Sequence, residues 1–199
     1  MQIEPAFDAH RPDGTGPNRR TLLKAAALGL FAFNVAGVEA LLSPAEARTR
    51  GAALSILSAA EAALLEAFGE ALVPGARAAG IAHFVDANLA RPHHASLLTA
   101  RYLDVLPPHD AFYRSGLAAL DAASRAMLGA PFAEVSTAAA KPLIAGMLPG
   151  TIKPWAGPPP PLFYLAVRSD AADLVYGTPA AFARMQVPYM AHIEPPADW

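Results

Sequence analysis

The sequence predicts an all-α chain: a single irregular helical domain with a proline-rich connection and an extended C-terminal tail, preceded by a signal helix. Three observations predict it. Apolar residues recur at three- and four-residue spacing through most of residues 58–176. Twenty prolines and fourteen glycines cut that periodicity into short runs. No stretch alternates apolar and polar residues over a convincing strand length, and no internal repeat is visible.

The N-terminus carries its own signature. Asn18-Arg19-Arg20-Thr21-Leu22-Leu23-Lys24 follows a polar segment and precedes an apolar run over 25–42, after which Ala45-Glu46-Ala47 offers a small-x-small cleavage site. This reads as a twin-arginine export signal in which Arg19, Arg20 and Lys24 are the basic residues and Ala45 and Ala47 are the small residues just before the cut. Asn18 and Leu22 stand where the usual pattern has Ser/Thr and Phe. The division expected is a signal peptide over 1–47 and a helical domain over 48–199, with a poorly packed helix near 21–42. A permanent membrane anchor is the competing reading, opposed by Asn34 and Glu39 within the apolar run. The expected location is periplasmic.

Composition narrows the chemistry. Residues 48–199 hold eleven Lys/Arg against twelve Asp/Glu, which makes nucleic acid an unlikely partner. The absence of cysteine removes disulfides, thiolate-bound iron–sulfur clusters and covalent haem attachment through this chain. A chain of this length buries roughly 70% of its unfolded surface and so holds its own core.

The helices follow in order. Ser58 and Glu61 form a capping box, Leu64, Leu65, Phe68 and Leu72 continue at helical spacing, and Pro74-Gly75 ends the run. Ile81, Phe84, Val85 and Leu89 mark a short helix, and a third is expected over 95–106. A longer one begins after Pro107-Pro108, carries Phe112, Tyr113, Leu117, Leu120, Met127 and Leu128, and ends before Gly129. Another covers about 138–147, with Pro142 either in its first turn or bending it. Residues 148–161, with four successive prolines, read as a stiff extended connection. A last helix from Leu162 to Gly177 has apolar residues on two faces and is expected to be buried on both. The tail over 187–199 has too many prolines for a helix and too many apolar residues for a solvated end.

Candidate chemistry is sparse. Gly14-Thr15-Gly16 is a fragment of a dinucleotide fingerprint, and the loop from Gly75 to Gly80 lacks the Lys-Ser/Thr of a phosphate loop. No serine sits in a Gly-x-Ser-x-Gly elbow. His93-His94 reads as a polar loop, His83 and Asp86 as a surface hydrogen-bonding pair on one helical face, and His109-Asp110 as a helix start. Phe112 and Tyr113 read as core.

The leader, the stretch from Leu57-Ser58-Ala59-Ala60-Glu61 to Val73-Pro74-Gly75-Ala76-Arg77-Ala78-Ala79-Gly80, and the ending from Phe163-Tyr164 through Asp170, Val175-Tyr176-Gly177 and 187–196 together resemble the gluconate 2-dehydrogenase subunit 3 family. Between 91 and 155 the resemblance is weak. It implies a small subunit without cofactor or catalytic residues of its own. The implied partner is a large flavoprotein of the glucose–methanol–choline type that holds FAD and lacks an export signal; a cytochrome c subunit often accepts the electrons. The small subunit would lend its signal to that partner, pass with it through the twin-arginine machinery, and help it fold. Folded export suits a flavin inserted in the cytoplasm, and a chain with no flavin motif profits from it only through a companion.

Within this reading the tail is the candidate partner contact. Tyr189, Met190, Ile193 and Trp199 supply apolar area of the kinds enriched at interfaces, and His192 and Glu194 alternate on one side of an extended segment. The alternatives are a free-standing exported helical enzyme or metal-binding protein built on the histidines, and a helical protein held at the membrane by an uncleaved signal.

Overall fold

A computed structural model describes residues 29–188 of the chain. Arg19, Arg20 and Lys24 at one end, and Tyr189, Met190, His192, Ile193, Glu194 and Trp199 at the other, lie outside the described residues. The described part opens with strands β1 (Phe31–Val35) and β2 (Val38–Leu42), then helices α1 (Pro44–Thr49), α2 (Ala59–Leu72), α3 (Ile81–Leu89), α4 (Asp110–Leu128), α5 (Thr137–Met147), α6 (Pro160–Tyr176) and α7 (Pro179–Arg184). Three short 3-10 turns, at His93–Ala95, Thr99–Tyr102 and Phe132–Glu134, fill the connections.

Helix α2 is the hub, packing against α3, α4, α5 and α6. It starts as its sequence requires: the Ser58 hydroxyl accepts the Glu61 N–H at 3.2 Å while the Glu61 carboxylate accepts the Ser58 N–H at 2.7 Å. Its inward side chains Leu65 and Phe68 are fully buried. Phe68 stacks on Phe163 of α6 with centroids 5.6 Å apart and meets Phe132 edge-on at 5.7 Å. Tyr113, Leu117 and Leu120 of α4 and Leu143 and Met147 of α5 complete this core. Gly116 leaves room for α6 to pack on α4, because a Cβ there would collide with the ring of Phe163.

The fold is predominantly helical, as expected, with four local departures. The first is at the N-terminal end, where residues 31–42 form an antiparallel hairpin instead of part of a signal helix, with Phe31 opposite Leu42 and Val35 opposite Val38. Ala36 and Gly37 turn the chain with φ of 50° and 85°, the two positive values that suit a tight hairpin, and Asn34 Oδ1 accepts the Gly37 N–H at 2.9 Å. Phe31 and Phe33 alternate inward, only 3% and 5% exposed, and meet Phe84 and His83 of α3 edge-on. Tertiary packing thus selects the period-two reading of a short apolar run that also fits a helix.

The second departure is over 95–106, where two 3-10 turns replace a helix. Side chains from other elements satisfy this backbone: Asn88 Oδ1 accepts the Leu97 N–H and Asp170 Oδ1 accepts the Thr99 N–H. Leu97, Tyr102 and Leu106 accordingly face outward. The third is in α6, which starts on two of the four successive prolines, where a missing N–H costs nothing. It buries one face, through Phe163, Ala166, Val167, Asp170 and Ala171, whereas Leu165 on the opposite face is exposed. Lastly, Pro142 sits in the second turn of α5, past the first-turn position, and so removes one intrahelical hydrogen bond.

The passage before α6 is irregular, as the prolines require. Trp155 is pinned within it: its indole N–H donates to the Pro158 carbonyl at 2.6 Å and its ring tilts against Phe163 at 6.3 Å. No helix among the described residues is long and apolar enough to cross a membrane.

Candidate functional site

Asp170 is a carboxylate sealed between three parts of the core: α6, α4 and the turn at Thr99. It stands on the buried stripe of α6 at helical spacing from Phe163, Ala166 and Val167 and is 1% exposed. Tyr113 Oη donates to its Oδ2 at 2.5 Å and the Thr99 N–H donates to its Oδ1 at 2.8 Å. Burial raises its pKa to about 6, against the lowering effect of those two hydrogen bonds, and Asp173 adds a smaller upward push. Burial and the adjacent acid hold the Tyr113 hydroxyl well above its ordinary value. A perturbed acid of this kind marks many active sites. Here both side chains lie beneath the surface, so the pair cross-ties α4, α6 and the turn at Thr99 and offers no substrate an approach.

Helix α3 carries a second polar set. Its sequence places His83 and Asp86 three apart, and both are buried, not on the surface. They do not bond to each other. Asp86 accepts the N–H groups of Ser55, Ile56 and Leu57, each at 2.8 Å, and His83 Nε2 lies 3.1 Å from the Ala52 carbonyl. Asn88 donates to the Phe84 carbonyl while accepting from Leu97. His83 and Asp86 thus hold the connection between α1 and α2, and Asn88 holds the stretch that follows α3. Among the described residues no group of three or more His, Cys, Asp or Glu could hold a metal ion.

The open surface near α3 is different in character. Arg91 lies 4.4 Å over the ring of Phe31, half-buried, and burial lowers its pKa. It lines two shallow clefts of about 350 and 290 Å³, one toward the hairpin and one toward His93, Ser96 and His109. The His93 and His109 rings meet at 5.0 Å, and His109 Nε2 bonds to the Val105 carbonyl, so His109 occupies the helix-start position without capping through its side chain. Beyond these clefts Tyr102 and Leu106 are 66% and 85% exposed. At the C-terminal side, Tyr176, Met185 and Val187 are also exposed.

The structure therefore separates the sequence candidates. Ala45 and Ala47, read as the small residues just before a cleavage point, lie in α1, and Ala47 is fully buried. Phe112 and Tyr113 are core, as expected. Sequence reasoning missed the pairing of Tyr113 with Asp170 and the loop-holding role of Asp86. The available signal was an acid at an apolar-stripe position, since 163, 166, 167, 170 and 171 define one helix face.

Comparison with known proteins agrees with the helical core. The model of the family described as gluconate 2-dehydrogenase subunit 3 matches residues 59–191, from the first residue of α2 into the tail. No curated protein and no solved structure matches the chain significantly. Because the match spans about two thirds of the sequence and takes in both α2 and Asp170, the chain belongs to the gluconate 2-dehydrogenase subunit 3 family, a component of dehydrogenase complexes.

Proposed function

We propose that this chain is the non-catalytic small subunit of a periplasmic dehydrogenase acting on a sugar or polyol, and that it escorts a large FAD-containing subunit of the glucose–methanol–choline type through twin-arginine export. The observation that carries this reading is the presence of Arg19-Arg20 ahead of an apolar run in a chain whose family is that of a dehydrogenase subunit. Two features support it. The strongest titratable pair, Tyr113 and Asp170, is committed to internal cross-linking. The exposed apolar side chains Tyr102 and Leu106, with Tyr176, Met185 and Val187 leading into the tail, suit a chain that works against a larger surface. Support for the partner's folding would come from the same contact, and a cytochrome c subunit would complete the electron path.

Replacing Arg19 and Arg20 by Lys tests the escort. Dehydrogenase activity and both polypeptides should disappear from the periplasm together and accumulate in the cytoplasm. Normal export of the large subunit beside the double variant removes the proposal.

A further inference from the structure

The apolar run expected to end as a discarded leader is built into the folded domain. Phe31, Phe33 and Leu42 are at most 5% exposed and belong to the same core as Phe68 and Tyr113. The hairpin is also tied at its edge, because the Ala53 N–H donates to the Asn34 carbonyl at 2.9 Å. Helix α1 continues the attachment. It has its own capping box between Ser43 and Glu46, and its Arg48 pairs with Glu66 of α2 at 2.8 Å. Gly80 shows how close the packing is: its φ is 83°, and a Cβ there would strike the Pro44 carbonyl.

The peptide bond after Ala47 is accordingly held inside structure. The Ala47 N–H donates to the Ser43 carbonyl and the Ala47 carbonyl accepts the Ala52 N–H, both at 2.9 Å. Its side chain is 0% exposed. A peptidase that reads small-x-small needs the segment extended with both small side chains presented, and here the segment is helical with Ala47 turned into the core. We infer that residues 31–52 are a permanent part of the working subunit, that Ala45-Glu46-Ala47 is not processed in the folded chain, and that any cut in the leader falls before Phe31. Twin-arginine export favours this outcome, since the hairpin is already packed when the chain crosses. The processing half of the inference rests on the export reading; the packing half does not.

Two measurements on the full-length chain decide it. The first is the N-terminal sequence and intact mass of the subunit recovered from the periplasm with its partner. An N-terminus no later than Phe31, the intact Met1 included, is expected, and an N-terminus at Arg48 overturns the inference. The second is the thermal melt of Phe31→Ala/Phe33→Ala beside the parent chain. The double variant should melt lower by ~10 °C or more, as the loss of two buried aromatic rings requires. An unchanged melt overturns the structural role of the hairpin. Failure of export leaves no periplasmic subunit at all, which counts against the escort reading, while the melt still decides the packing half.

Discussion

Asp170 is a buried acid whose two states differ in cost. Its folded pKa of about 6 lies above the ordinary value of 3.8, so the folded chain holds this proton more tightly than the unfolded chain does. The contribution is fully present below pH ~4 and is lost as pH rises through about 6. A shift of about two units corresponds to ~3 kcal/mol at most. Asp170→Asn removes the titration and keeps one acceptor oxygen, for the Thr99 N–H, while its amide NH2 takes the place of the oxygen that Tyr113 faces and can donate to the Tyr113 hydroxyl. The stability of the parent chain minus that of the Asn variant, from urea unfolding at pH 4 to 7, should therefore fall with rising pH. A flat difference would mean that the acid is better solvated than its surroundings imply. The sequence marked Tyr113 as core without showing what its hydroxyl would meet, because the two partners are 57 residues apart in the chain.

At the scale of elements, α4 meets α6 where Gly116 faces the ring of Phe163. Alanine is ~1 kcal/mol better than glycine in a helix interior, so on propensity alone Gly116→Ala would stabilise α4. Overpacking against a fixed aromatic ring costs about 1–3 kcal/mol and should win. Denaturant unfolding of Gly116→Ala is expected to show a net loss, with Phe163→Leu in the same chain recovering part of it. Legibility in the sequence followed the same division. Helices α2 and α3 were readable because the capping box of α2 and the apolar stripes of both are local. The hairpin and the turns over 95–106 were not, because long-range contacts decide them: α3 receives Phe31 and Phe33, and Asn88 and Asp170 take the backbone that a helix would have bonded internally. The role of Asp86 was hidden for the same reason, since its partners lie about thirty residues earlier in the chain.

For the whole molecule the question is which surface meets a partner. Exposed Met185 and Val187 lead toward a segment whose sequence holds Tyr189, Met190, Ile193 and Trp199; were that segment the partner contact, Pro188, Pro195 and Pro196 would lower the entropy lost on docking. Deleting 187–199 is expected to weaken co-purification of the large subunit at least tenfold while the helical domain melts within a few degrees of the parent. An intact complex after truncation, or collapse of the helical domain, would place the contact elsewhere.

The tether of Trp155 gives that experiment an optical side. The chain has two tryptophans, and the truncation removes Trp199, leaving a single fluorophore held by the Pro158 carbonyl and set against Phe163. Emission from the shortened chain then reports the loosening of the proline passage and the α6 core alone. Subtracting it from the full-length spectrum isolates the light of Trp199, whose colour and quenching follow the water around that one indole.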